Sequence, residues 1–248
     1  PLADKNVRRA LIKSMDRETY GNVLLKGTYI PGGPMLPPSL DYAFDELDKM
    51  NPDKYDVEAA KKLLADAGWK DTDGDGFVDK DGKNLELNFT FYSGRAELPL
   101  FAEAVQSDAK KVGIKVNLKN VDYNILFDIG KKGEYDLLIS NILTEQAGDP
   151  EFFMNVYFRT NKDGNTPENA SGYSNPEYDA LSEKLSGEFD PAKRRDIIIQ
   201  MEKIMMNDAG TVVLGYPKTN LVSSKNIANA NIYPCDYYWV TKDITPAK

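Results

Sequence analysis

Hydrophobic residues recur along this chain in two alternating rhythms, one helical and one strand-like. Val7, Ala10, Leu11 and Met15 follow helical spacing behind Asp4, a residue suited to capping a helix start, and Asp16-Arg17-Glu18 reads as a restart or continuation. Residues 27–40 break that rhythm: Pro31, Gly32, Gly33, Pro34, Pro37 and Pro38 rule out a regular helix or a central strand and leave an extended connection. Asp56 then caps a second helix that carries Ala59, Leu63, Leu64 and Ala67 and ends at Gly68, where a left-handed residue is least strained.

The middle of the chain changes period. Leu85, Leu87, Phe89 and Phe91 alternate with Glu86, Asn88, Thr90 and Tyr92, as in a strand with one buried face. Leu98, Phe101, Ala102, Val105, Ala109 and Val112 return to helical spacing and close on Gly113. Ile114, Val116 and Leu118 alternate again, a helix around Ile125, Leu126 and Ile129 follows, and residues 135–140 read as another buried strand. The order β-α-β-α-β favours a parallel sheet with right-handed crossovers and helices covering it, and places ligand-bearing loops at the carboxyl ends of the strands.

Beyond Thr144 the chain turns polar and irregular until Asn175-Pro176, a cap and first-turn proline for a helix through Leu181 and Leu185. Asp190-Pro191 repeats the device for a longer helix with Ile197, Ile198, Met201, Ile204 and Met205, which Gly210 ends. Residues 211–216 read as a strand, and the last stretch gathers Tyr233, Tyr237, Tyr238 and Trp239, aromatics suited to an apolar wall or to a core or interface.

Charge and composition then narrow the function. The chain has 248 residues, 31 Lys plus Arg against 39 Asp plus Glu, and a net charge of -8, so no basic surface is present to neutralise phosphates. Its apolar runs fall well short of the roughly 20 residues that cross a bilayer. The start lacks the basic end, apolar stretch and cleavage site of a signal peptide, which leaves a cytosolic chain or one whose start has been removed. There is no histidine, which removes Ser-His-Asp and Cys-His catalysis, and the single Cys235 has no partner for a disulfide or zinc site.

Three constellations carry candidate chemistry. Asp71, Asp73 and Asp75 stand at the first, third and fifth positions of a calcium loop with Gly76 at its sharp turn, and Asp79 follows, but Gly82 replaces the bidentate Glu of the twelfth position. The reading is either a calcium-binding surface or structural module or a tight Asx-rich turn between helix and strand. Thr144, Glu145, Gln146 and Asp149 follow a strand, where an open α/β sheet presents its ligand crevice, although Asp149 equally suits a cap for a helix beginning at Pro150. Arg159, with Asn161 nearby, suits bidentate grip of a carboxylate or an ordinary surface position, and Tyr173 suits the wall of a site or a core position.

Residues 4–18 (DKNVRRALIKSMDRE), 52–69 (PDKYDVEAAKKLLADAGW), the following DTDGDGFVDKDGKNLELNF, and 103–119 (EAVQSDAKKVGIKVNLK), with GDPEFF after a strand, resemble the second half of a known family. That family is the dipeptide-, oligopeptide- and nickel-binding group, family 5, of extracellular solute-binding proteins serving ABC importers. The resemblance runs across nearly the whole chain. It implies a periplasmic-binding-protein-like type II lobe, α/β with a mainly parallel sheet flanked by helices, and no enzymatic activity. It further implies that residues 1–222 form the second, carboxy-terminal lobe, that 223–248 return toward a first lobe, and that the protein sits outside the cytoplasm as a lipoprotein or in the periplasm.

The partners implied are a small-molecule ligand, either a peptide or a nickel or other metal chelate, the importer's permease and the first lobe. Where peptide-binding members place an aspartate for the ligand's amino terminus, this sequence has Glu145 and Gln146. Nickel-binding members use a histidine near the position of Asn161 and Lys162, so metal cargo would reach this chain already chelated, with Arg159 gripping the chelator's carboxylates. Ligand contacts are therefore expected from Thr144, Glu145, Gln146, Asp149, Arg159, Asn161 and Tyr173. No resident cofactor is expected apart from the calcium reading of Asp71, Asp73, Asp75 and Asp79.

Overall fold

Leu87 and Phe89 build a strand because β-branched and aromatic neighbours pack well on a pleated surface, and both are buried. The computed structural model describes residues 1–145, 148–162, 169–232 and 240–247. Gln146, Cys235 and the aromatic set Tyr233, Tyr237, Tyr238 and Trp239 lie outside the described residues. Strand β4 (Glu86–Tyr92) pairs in parallel along its whole length with β5 (Lys115–Val121) and, on its other side, with β6 (Leu137–Leu138). The sheet order is therefore β5-β4-β6.

Helix α5 (Glu97–Lys111) links β4 to β5, and α6 (Tyr123–Lys132) links β5 to β6. Because parallel crossovers are right-handed and these two run in opposite directions from β4, they cover opposite faces of the sheet. That explains a departure from simple alternation: Thr90 and Tyr92 are buried as well as Phe89 and Phe91, since both faces of the strand's second half are covered. The point where strand order reverses lies between β4 and β6, so the crevice of this sheet opens at their carboxyl ends.

Two hydrophobic cores result. The first gathers α1 (Lys5–Ser14), α4 (Val57–Asp66), α5 and the sheet around Val7, Leu64, Leu87, Phe101 and Ile114. The second joins α7 (Glu151–Phe158), α8 (Pro176–Ser186) and α9 (Pro191–Asp208) around Met154, Tyr178, Leu185, Ile198 and Met201, with Met35 and Leu36 from the proline-rich connection. The caps act as their residue types predict: Asp4, Asp56, Asn175 and Asp190 each accept a backbone N–H from the first turn of their helix. The short helix α2 (Arg17–Thr19) is capped by Asp16 and runs into a π-turn over Tyr20–Leu24.

Several expectations need correction. The connection is extended as expected and, over β1 (Tyr29–Pro31), pairs antiparallel with β7 (Gly215–Pro217) in a two-stranded ladder. The strand expected over 211–216 shrinks to β7, because Pro31 and Pro217 end the ladder without donors and the backbone at Gly32 nearly touches Val213; a Cβ at Gly32 would lie 1.8 Å from Val213 O. The buried strand expected over 135–140 is the half-buried edge strand β6, extended only by bonds from Asp136 N to Asn88 O and Ile139 N to Thr90 O. Helix α3 (Phe44–Met50) had no expected counterpart, whereas α7 is the helix that the capping alternative for Asp149 placed at Pro150, within a stretch otherwise expected to be irregular.

The remaining paired strands among the described residues are β2 (Asp79–Lys80) with β3 (Lys83–Asn84), and β8 (Ile227–Ala228) with β9 (Thr245–Pro246). No described residue from Lys218 onward is buried. Leu87→Ala, at a side chain with 0% exposure in the central strand, is expected to lower stability by about 2–5 kcal/mol in urea unfolding. Ile125→Ala, at a helix position left 47% exposed, is expected to change it by less than about 0.5 kcal/mol.

Candidate functional site

The crevice side of the sheet is rimmed by the residues that follow each strand. Tyr92 ends β4, Tyr123 opens α6 directly after β5 and Asp122, and Ile142 and Leu143 follow β6. Tyr92 packs edge-on against Tyr123, with centroids 5.0 Å apart, and Tyr123 packs edge-on against Phe127 at 5.6 Å. Tyr123 is nevertheless 50% exposed, and Phe127, Ile142 and Leu143 are exposed as well. Exposed apolar side chains thus stand after β5, at Tyr123 and Phe127, and in the loop after β6, at Ile142 and Leu143.

Thr144 and Glu145 lie in the loop after β6 and are half-buried; Gln146 lies outside the described residues. Asp149 is held otherwise. Its Oδ1 accepts Glu151 N at 2.8 Å in the first turn of α7, and its Oδ2 accepts from Arg194 Nε and Nη2 at 3.2 and 2.9 Å. Arg194 also donates to Glu151 Oε2 and to the carbonyls of Leu185 and Glu188, so one guanidinium ties α7, α8 and α9 together. The Glu151 bond, then burial working against it, then Asp149 leave the Arg194 pKa above its ordinary value.

Arg159 follows α7 and donates to Glu183 Oε1 on α8 at 2.8 Å, in an exposed pair. Asn169 joins it to Tyr173: Nδ2 donates to Arg159 O at 2.8 Å and to Tyr173 O at 2.9 Å. Tyr173 Oη donates to Asp208 Oδ2 at 2.8 Å while its ring meets Tyr178 edge-on, and burial raises its pKa. Asn161 is exposed beside a polar groove lined by Thr160, Lys162, Ser174 and Asp179.

The aspartate loop closes on itself. Oxygens of Asp71, Asp73 and Asp79 lie within 4.8 Å of one another, whereas Asp75 turns to Phe77 N and Asn84 Nδ2, which together hold its pKa low. Asp71 accepts from Gly74 N and Gly76 N, glycines at φ +81° and +89°, and Asp79 accepts from Thr72 N and Oγ1. These carboxylates thus perform the Asx-turn role, and the loop joins α4 to β2.

Tyr92, Tyr123 and Phe127 had not been singled out as site residues. Their signal was readable: Tyr123 and Phe127 stand four apart beside the buried Leu126 and Ile129, which gives one helix more apolar surface than a single core face needs.

A parallel sheet with a switch point, and polar loops beyond its strand ends, define an open α/β architecture. The chain belongs to the bacterial extracellular solute-binding proteins, family 5, whose middle-region model matches residues 1–165. It is 28% identical over 250 residues to the oligopeptide-binding protein AppA of Bacillus subtilis, covering 96% of this chain and 44% of that protein. It is 27% identical over 237 residues to the nickel-binding protein NikA of Staphylococcus aureus, covering 95% and 44%. The solved structure of Bacillus subtilis AppA in complex with a nonapeptide matches with a TM-score of 0.80 at 26% identity, over 94% of this chain and 45% of that one. NikA from Brucella suis in complex with Fe(III)-EDTA shares the fold, with a TM-score of 0.73 at 23% identity over 87% and 42%. The chain spans a little under half the length of these relatives.

Arg194→Ala would remove the cation that pairs with Asp149 and Glu151 and the donor to two carbonyls, and is expected to cost about 1.5–3 kcal/mol in urea unfolding. Arg159→Ala breaks an exposed pair with Glu183 and is expected to cost no more than about 1 kcal/mol by the same measurement.

Proposed function

We propose that this chain is the carboxy-terminal lobe of an extracytoplasmic solute-binding protein that captures a peptide or a nickel or other metal–chelator complex for an ABC importer. The observation that carries the reading is the exposure of Tyr123, Phe127, Ile142 and Leu143 in the segments that follow β5 and β6, with Thr144 and Glu145 next along the chain. Apolar surface left uncovered, as at the Tyr123–Phe127 pair, marks a place where a ligand or partner meets the protein. In this reading residues 1–222 make the lobe, and 223–248 return to a first lobe that closes over the cargo by hinge motion. The absence of any buried side chain among the described residues beyond 218 supports that division.

The task is binding and not chemistry. The exposed apolar side chains take apolar parts of the cargo, and Glu145, Arg159 and Asn161 take its polar ends, Glu145 an amine and Arg159 a carboxylate. This chain has no histidine, so a metal would be gripped here through its chelator. The implied partners are the importer's permease and the first lobe, and the implied setting is the periplasm or a lipid anchor at the cell surface.

Titration calorimetry of the full natural protein with peptides and with nickel–histidine complexes tests this. Tyr123→Ala, Glu145→Ala and Arg159→Ala are each expected to weaken the bound cargo by about tenfold or more, the loss that one buried aromatic or charged contact produces. Unchanged affinity in all three would discard the rim as the site.

A further inference from the structure

Where the two cores meet there is a small, partly open pocket of about 40 Å³, room for a water molecule or two. Its wall combines Glu202 of α9, Arg17 of α2, Asp53 of the loop after α3, and Gly33, Pro34 and Met35 of the chain leading out of β1. Glu202 is 3% exposed. Its Oε1 accepts Leu36 N at 2.6 Å, and the neighbouring Met35 peptide group acts on the carboxyl group electrostatically. Its Oε2 is buried with no hydrogen-bond partner among the described residues.

We propose that Glu202 is a pH-sensitive latch between α9 and the segment that follows β1: protonated, it holds the Met35 and Leu36 peptide groups against the second core, and ionised, it favours their release.

The surroundings explain why the proton matters. No ion pair reaches Glu202 among the described residues; Arg17, the cation sharing the cavity wall, donates its Nη2 to Asp53 O at 2.7 Å. Tyr178 of α8 and Tyr216 of β7 also face the carboxyl group, and Asp48 of α3 faces Tyr216 and Arg17. Burial pushes both tyrosines above their ordinary range, so they stay neutral wherever a carboxyl group titrates. Tyr216 also clasps the segment, donating to Pro34 O and accepting Gly33 N.

A carboxylate in this position loses its hydration without gaining a cation, and an ionised group so placed draws water by local opening. Burial pushes the Glu202 pKa up to about 8, against the downward pull of the Leu36 and Met35 peptide groups. The folded form therefore keeps its proton to higher pH than the opened form does. The contribution to stability is complete below the ordinary carboxylate range and is lost as pH rises toward about 8. Asp53 is likewise raised by burial, which makes it the group to separate from Glu202.

Hydrogen exchange at the Leu36 and Met35 amides of the full natural protein, corrected for intrinsic exchange, reads the latch from about pH 5.5 to about 8.5. Opening is expected to rise by up to about tenfold per pH unit and to level off above about 8. Glu202→Gln, which keeps the acceptor and cannot ionise, is expected to flatten the profile, and Asp53→Asn to leave it in place. A flat profile in the unaltered protein, an undiminished slope in Glu202→Gln, or a slope abolished by Asp53→Asn would overturn the proposal. If Glu202→Gln does not fold, the profiles of the unaltered protein and Asp53→Asn decide it by the same criteria.

Discussion

Seven residues of β4 lie in parallel register against β5, from Glu86 opposite Lys115 to Tyr92 opposite Val121. Parallel pairing cannot be made by a tight turn, so it compels a crossover helix, and a second crossover to β6 on the far side compels another on the opposite face. From that constraint follow the burial of both faces of β4, the switch point between β4 and β6, and the collection of the following loops on one edge. Gly113 shows how closely the joints are fitted: it sits at φ +80°, its carbonyl accepts Val78 N at 2.8 Å, and a Cβ there would come within 2.9 Å of Val78 Cγ1. The aspartate loop is held to the sheet through that contact.

Local chemistry made most of this layout legible. Caps at Asp4, Asp56, Asn175 and Asp190 mark helix starts because an Asx side chain meets its N–H partners within three residues. What escaped was set by distance. Helix α3 spans seven residues with Leu47 as its one buried side chain, too short for a period to show, and begins after Ala43 in a left-handed conformation. Residues 135–140 and 211–214 are apolar enough for strands, but a strand also needs a neighbour offering donors and acceptors along its length. Pro31 and the close approach of Gly32 to Val213 deny that neighbour to the second, and the sheet edge denies it on one side to the first.

The same distinction runs through the site. Thr144 and Glu145 fall at a strand end because strand order fixes where loops emerge, and that much follows from the β-α-β-α-β pattern. The partners of Asp149 and Tyr173 do not: Arg194 lies 45 residues from the first and Asp208 lies 35 from the second. A side chain read as a ligand contact and one read as an internal tie look alike until the fold brings up the other half of the pair. Aromatic surplus is more informative, because an exposed Tyr123 and Phe127 beside a satisfied core face have no intramolecular debt left to settle.

Two buried carboxylates show how the chain manages charge at its joints. Asp108 on α5, 5% exposed, accepts from Asp16 N at 2.9 Å and from Tyr20 Oη, and Lys111 Nζ lies 2.6 Å from its other oxygen. That group is compensated by a cation and fixes α5 against α2 and the π-turn. Glu202, comparably buried, accepts the Leu36 peptide N–H on one oxygen and meets no hydrogen-bond partner among the described residues on the other. Desolvation then outweighs hydrogen bonding, and the neutral acid becomes the form the fold prefers. Within the first core a charge is matched and the contact is permanent; between the cores it is unmatched, and the strength of the contact becomes a function of proton activity.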